Sequence, residues 1–266
     1  ILPVASPRDR IDGWSPQDWD LARDLPLNDA HSVPGCELTE SEVRWIDAWN
    51  EFVEIMWERV EGGKLPGFPV WADSWKDYAD PIDEDLPAWK RSHLAKNYAF
   101  YEAHKDVLDS WATRVGLFTE AFPPSRRKFE WQAQETARLW DAVMHFRPSG
   151  IRAKAATYLP ALVAITQTSI IGPRERRLSP REAARLQGLP DGFDFGDQSS
   201  AATYKQLGNG VNVGAVWHVL REHVKRDEDV LKTTDAGERI ARAVLDAPLS
   251  PDAVLDALFP VLPATR

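Results

Sequence analysis

Cysteine is nearly missing from this chain: Cys36 is the single thiol in 266 residues. One thiol excludes an internal disulfide framework and suits a reducing compartment. Long apolar runs are missing as well. None approaches the roughly 20 residues needed to span a bilayer, and the opening ILPVASPRDR has neither the basic start nor the apolar core of a signal peptide. Internal repeats and low-complexity tracts are also absent. These absences point to a soluble, cytoplasmic protein with no membrane partner. The chain opens on Ile1 rather than methionine, as expected of a processed or excerpted piece of something longer.

What is present suits a packed protein. The hydrophobic fraction is 43%, normal for a buried core, and the length allows one large domain or two small ones. Twelve tryptophans far exceed average usage; those at helical spacing, such as Trp131 and Trp140, read as core. Charge is unevenly distributed. The net value is −9, yet residues 121–187 carry twelve Arg or Lys against five acids, a local +7, which leaves −16 on the remainder. Such asymmetry predicts a basic face on an acidic body and reopens a nucleic-acid partner that the overall charge argues against. Pairing of these arginines with acids elsewhere is the open alternative.

Periodicity organises the chain. Residues 1–37 are irregular and rich in Pro, Asp and Trp. Thr39-x-x-Glu42 forms a capping box, and Val43, Ile46, Trp49, Phe52, Val53, Met56 and Val60 follow at helical steps until Gly62-Gly63. A Pro- and Trp-rich connection leads to Pro87, which opens a helix to about Val115. The loop FPPSRRKF, 122–129, precedes a predicted third helix through about Val143, and FRPSGIRAK reads as an exposed basic turn. YLPALVAITQTSII, 158–171, is the best strand candidate, ended by Gly172-Pro173. Ser179-Pro180-Arg181-Glu182 is a second capping box whose helix stops at Gly188. An Asn-Gly turn then precedes an amphipathic helix, 211–224, and residues 227–266 form a charged helical tail with a short helix opened by Ser250-Pro251.

RRLSPREAARLQGLPDGF, 176–193, followed by YKQLGNGV, 204–211, resembles the last two conserved blocks of DNA cytosine-5 methyltransferases. Those blocks are Arg-x-Leu-Thr-x-x-Glu-x-x-Arg-Leu-Gln-Gly-Phe-Pro and Tyr-Lys-Gln-x-Gly-Asn-x-Val. Ser179 stands for the threonine and keeps the cap, and Leu189 stands for the phenylalanine. PSRRKFEWQA together with FRPSGIRAKAATYLPALVAITQT is similar to the target-recognition region of a bacterial subgroup, which extends the resemblance to roughly residues 70–225. The implied fold class is α/β: the C-terminal segment of a Rossmann-like S-adenosylmethionine-dependent domain with a largely helical target-recognition domain. The implied divisions are an N-terminal segment at 1–70, the recognition region at 71–175, the final motifs at 176–226 and the tail at 227–266.

The resemblance implies S-adenosylmethionine as cofactor, with Asn209 and Gly210 in its pocket and Phe193 as an apolar wall; a plain turn or C-cap role for Asn209 is the alternative. It implies double-stranded DNA as partner, with Arg126, Arg127, Lys128, Arg147, Arg152 and Lys154 as candidate contacts, each of which could instead be a solvated or ion-paired residue. Glu182 and Arg185 read as fold-holding. No metal ligand set is assigned. The family's chemistry needs a Pro-Cys nucleophile to attack C6 of a flipped cytosine, a glutamate in Glu-Asn-Val and a Phe-x-Gly-x-Gly loop. None occurs here. Cys36, in VPGCELTE, has its proline two residues away, so no catalytic residue is assigned and the chain alone is predicted inactive. The expectation is the specificity-giving and pocket-completing portion of a restriction-modification enzyme, nucleoid-associated in a bacterial cytoplasm, whose nucleophile lies on a partner segment or subunit. The alternative is a non-catalytic DNA-binding or regulatory module.

Overall fold

The computed structural model describes residues 32–60, 65–75, 85–133, 135–157, 159–162, 168–189 and 192–248. These fall into two compact units, one of Ala30–Pro160 with Ser169–Arg177, the other of Ala161–Thr168 and the chain from Leu178 onward. Among the described residues no helix is long and apolar enough to cross a membrane. The α/β class holds, with helices and a six-stranded sheet in one chain.

In the first unit, α1 (Glu40–Arg59) begins at the expected capping box: the Thr39 hydroxyl accepts from the Glu42 amide, and the Glu42 carboxylate accepts from the Thr39 amide. Ile46, Trp49, Phe52, Val53 and Met56 on its inner face are fully buried. Trp49 stacks on Phe129 with ring centroids 4.7 Å apart, and its Nε1 donates to the Arg126 carbonyl at 2.9 Å. Trp111, on α2 (Ala88–Val115), is equally buried and donates Nε1 to the Ala48 carbonyl at 3.0 Å. Each indole therefore contributes a large apolar area while its one donor stays satisfied. Gly62-Gly63 lies outside the described residues.

The Pro- and Trp-rich connection contains a short edge strand, β1 (Val70–Trp71), followed by a 3-10 turn at Ala72–Trp75. Asn97 of α2, fully buried, accepts from the Trp71 amide at 2.6 Å and donates to the Pro69 carbonyl at 3.1 Å. One side chain thus satisfies backbone groups that an edge strand would otherwise leave open.

Residues 128–155 depart from expectation. The predicted third helix is replaced by β2 (Lys128–Gln132), a 3-10 turn at Leu139–Asp141 and β3 (Ala142–Arg147). The basic turn is the tip of a hairpin: Pro148 and Ser149 alone join β3 to β4 (Gly150–Ala155). The reason is an alternation too short to stand out. Phe129 and Trp131 in β2, Met144 and Phe146 in β3, and Ile151 and Ala153 in β4 are buried on one face, while the residues between them point the other way. Gly150 is required at the bend: its φ is +131°, and a Cβ at this position would stand only 2.8 Å from the Lys128 Cβ and carbonyl oxygen.

Of the strand expected at 158–171, only Ile170–Ile171 forms one, β5; residues 158 and 163–167 lie outside the described residues. β6 (Arg176–Arg177) completes the order β1-β2-β4-β3-β5-β6, antiparallel throughout except for the β2–β4 pair. Arg177 reaches Glu42, with Nη1 donating to Oε2 at 3.1 Å, so the far edge strand is tied to the start of α1.

The second unit is helical: α3 (Pro180–Leu186), α4 (Ser200–Asn209), α5 (Val213–Arg226), α6 (Glu228–Leu231) and α7 (Asp235–Leu245). Ser179 and Glu182 form the predicted capping box with Pro180 at the first helical position, and Glu182 is fully buried. Gly188 follows α3 with φ +72°, the left-handed end that glycine tolerates best. The expected Asn-Gly turn is corrected in one respect. Tyr204 through Asn209 are the body of α4, Gly210 is its C-cap with an ordinary φ of −75°, and the turn proper is Gly210–Asn212. Arg221 of α5 donates to the carbonyls of Val244, Leu245 and Ala247 at 2.8, 2.9 and 3.0 Å, which caps α7 and anchors the tail's first half. Ser250-Pro251 lies outside the described residues.

Candidate functional site

Two places gather the candidate residues, one in each unit. In the second unit, the end of α3 and the α4–α5 joint are laced together. Gln187 Nε2 donates to the Leu207 carbonyl at 2.5 Å, and the Val213 amide donates to the Gln187 carbonyl at 2.9 Å. Asn212 caps α5 by accepting from the Ala215 amide at 2.9 Å, and its Nδ2 donates to the Leu186 carbonyl at 2.7 Å. Tyr204 donates its hydroxyl to the Leu178 carbonyl at 2.6 Å. Apart from the cap itself, each of these bonds joins a residue of the RRLSPREAARLQG block to one of the YKQLGNGV block or the residues just beyond it. The two motifs, separate in sequence, thus form a single structural element.

Against this element lies a pocket of about 180 Å³, lined by Phe193, Phe195, Leu189, Gln206, Gly210 and Val211 among others. Phe193 and Phe195 meet edge to face at 5.0 Å, and Arg181 fastens their loop to α3 by donating to the Phe193 carbonyl at 3.0 Å. Phe193 remains 42% exposed, so its ring is accessible at the edge of this pocket. Two of the three predicted pocket residues, Phe193 and Gly210, therefore share one cavity. Asn209 is exposed at the end of α4 beside it and is not among its lining residues. Whole ligands of cofactor size occupy pockets of roughly 300 Å³ or more, so this cavity is too small to enclose such a ligand by itself.

In the first unit, Lys128, Glu130 and Gln132 of β2, Arg152 and Lys154 of β4, and His145 and Arg147 of β3 alternate with the buried residues and form the sheet's outer face. Glu130 is in register with Arg152, which is in register with His145. Glu130 Oε2 accepts from Arg147 Nη2 at 2.5 Å and from Arg152 Nε at 2.9 Å, while Oε1 accepts from the Gln132 amide. Burial pushes the Glu130 carboxyl up, but the hydrogen bonds and charges of Arg152 and Arg147 outweigh it and hold it below the usual carboxylate range. His145 is pushed down, first by burial and then by the same two guanidinium groups, which favours the neutral imidazole. Lys128 extends over the Trp71 ring at 5.4 Å, and Trp71 stacks on His93 at 5.2 Å.

The six predicted basic residues thus separate. Lys128, Arg147, Arg152 and Lys154 share the outer face. Arg126 does not: it is 9% exposed, its guanidinium lies 4.7 Å from the Phe146 ring centre and 5.2 Å from that of Trp45, and Nη1 donates to the Arg147 carbonyl at 3.0 Å. Arg127 donates to the Phe122 and Thr119 carbonyls and to Asp73. Both arginines pin the FPPSRRKF loop to the fold, a use of guanidinium that spacing alone does not reveal. The residues that sequence reasoning missed are Glu130, Gln132 and His145. Glu130 and Gln132 alternate with Phe129 and Trp131 in KFEWQ, and His145 alternates with Met144 and Phe146 in β3, runs too short to mark a strand in the sequence.

Residues 68–225 match the family described as C-5 cytosine-specific DNA methylase. The chain is similar to the Type II methyltransferase M.AluI of Cellulosimicrobium cellulans, 51% identical over 294 residues that cover 95% of this chain and 56% of that protein. It is also similar to M.HgiCI of Herpetosiphon aurantiacus, 50% identical over 20% of this chain and 12% of that one, and to M.BanI of Aneurinibacillus aneurinilyticus, 51% identical over 18% and 11%. The chain spans little more than half the length of M.AluI and smaller shares of the other two. No solved structure matches it.

Proposed function

The chain belongs to the C-5 cytosine-specific DNA methylase family, and from that premise we propose that it is the target-recognising, pocket-closing part of a DNA cytosine-5 methyltransferase of restriction-modification type. The observation that carries this reading is the lacing of the two motif blocks through Gln187, Tyr204 and Asn212 around the pocket that holds Phe193 and Gly210. A block pair with no ligand to shape would need neither the exposed phenylalanine nor the cavity.

S-adenosylmethionine, when bound, supplies the methyl group that goes to C5 of the target cytosine. Phe193 and Phe195 offer apolar surface to a flat ring, Gly210 leaves backbone bare at the rim, and Asn209 offers an amide beside it. The remainder of the cofactor is held by a segment outside this chain, which also supplies the Pro-Cys thiolate and the assisting glutamate. Cys36 does not serve: it is 1% exposed within the first unit. The outer sheet face binds the phosphates and base edges of double-stranded DNA through Lys128, Arg147, Arg152 and Lys154, while Arg126 and Arg127 support the loop behind it. Residues 71–175 accordingly form the recognition domain, 176–226 the closing motifs and the tail beyond 227 an extension braced by Arg221. A protein of this kind works in a bacterial cytoplasm at the nucleoid.

The valines and leucine exposed along α5, Val216, Val219 and Leu220 at 51, 54 and 45%, support a covering segment, because apolar residues at steps of three and four rarely face water along a whole helix. Mixing this chain with an N-terminal segment that carries the Pro-Cys block, and following labelled methyl transfer to DNA, should give activity only when both are present. DNA binding without activity in any pairing would favour the regulatory-module reading instead.

A further inference from the structure

The outer sheet face carries one acid among four cations, and that acid sits at their centre. Glu130 is 19% exposed at its side chain, Arg147 27% and Arg152 34%. A carboxylate here lowers the attraction of the face for phosphate, so its placement calls for a compensating role. Its hydrogen bonds supply one. A single oxygen, Oε2, accepts from both Arg147 and Arg152, and the other accepts from Gln132. Without it, two guanidinium groups on adjacent strands would repel and splay; with it, both are tied to one oxygen. Arg152 is held by Glu130 through Nε, so its two terminal nitrogens remain to meet an outside acceptor pair. Guanine presents such a pair, O6 and N7, in the major groove, and Gln132 has the amide that matches the N6 and N7 edge of adenine.

We infer that Glu130 is a positioning residue for target selection: it holds Arg147 and Arg152 as one rigid fork on the outer sheet face, and that fork reads a guanine-containing base step in duplex DNA. The inference rests on the DNA-binding reading of this face. It separates selection from attraction, since the two arginines provide charge whether or not Glu130 orders them, but provide discrimination only when ordered.

The test uses the chain and a pool of randomised DNA duplexes, from which the bound fraction is sequenced, followed by titration of one enriched and one scrambled duplex. Glu130→Gln should lower the ratio of the two affinities at least tenfold, while binding to the scrambled duplex stays level or tightens because a negative charge is gone. Arg152→Lys, which keeps the charge and loses the fork, should lower the ratio similarly, and the double variant should add little to either. Glu130→Asp should recover part of the ratio. A ratio unchanged in Glu130→Gln would overturn the inference, as would a parallel loss for both duplexes, the mark of a merely structural role. If the unaltered chain enriches no sequence, the DNA-binding reading falls and this inference with it.

Discussion

The two units are stabilised in different ways. The first packs Trp49, Phe52, Trp111, Phe122 and Phe129 out of contact with water beneath its sheet and closes them with indole-to-carbonyl bonds. The second buries mostly small or isolated side chains among its described residues, such as Ala183, Ala184, Ala241, Leu178 and Leu207, and is held by side-chain bonds to helix ends. It also leaves Val211, Val216, Val219, Leu220, Val230 and Ile240 exposed. Among the described residues the first unit shows one large apolar side chain to solvent, Trp89, whereas the second shows several, three of them on one helix. The first unit presents a polar, largely basic face over a packed core; the second presents a hydrogen-bonded joint beside an exposed apolar face.

The strongest way to break this contrast is to open the first core. Trp49→Ala removes a fully buried indole and should cost about 3–5 kcal/mol, seen as an early unfolding transition of the first unit in denaturant, while the second unit's helical signal is retained. A uniform loss across both would erase the distinction. Asn212→Ala strikes the second unit where it is strongest: it deletes a helix cap and the bond to Leu186, for about 1–2 kcal/mol. Hydrogen exchange should then rise in α3 and the start of α5 and stay unchanged in the sheet.

Acid sharpens the same contrast through the outer sheet face. His145 has a folded-state value below its unfolded value of about 6.5, so its stability contribution is full above that value and is lost as pH falls toward the folded one. Glu130 is likewise depressed, so its contribution is present above the ordinary glutamate range and disappears as pH falls through the lower folded value. Melts at successive pH values should show the first unit weakening in two ranges, with His145→Gln reducing the first, to which the likewise lowered His104 also contributes, and Glu130→Gln reducing the second, which Glu42 shares. The smallest effect is expected on α5. Val216→Ser with Val219→Ser should change the chain's own stability by no more than about 0.5 kcal/mol per site, as at open surface positions, yet weaken its association with the N-terminal segment in a binding titration. A large stability loss would mean that this face is already covered.

Much was legible beforehand where the signal is local. Thr39 with Glu42, and Ser179 with Glu182, were readable as caps because a capping box uses only four consecutive residues. α1 and α2 followed from apolar residues at steps of three and four, and Pro87 marked the start of the second. The six-stranded sheet was not legible. KFEWQ is five residues long, too short for alternation to outweigh the helical spacing seen nearby, and its partner β4 arrives only after an intervening strand. Arg126 looked like its neighbours in sequence and was separated from them by burial between Trp45 and Phe146. Glu130 offered no sequence signal of its role, since its meaning comes from two arginines 17 and 22 residues away.

Caps, helix faces and the paired motif blocks were thus set by residues near one another in the chain, where hydrogen-bond reach and helical pitch leave few choices. Which basic residues face outward, which acid orders them, and that Gln187 and Asn212 lock two blocks into one joint were decided by tertiary structure, because each depends on strand register and on contacts between residues distant in sequence.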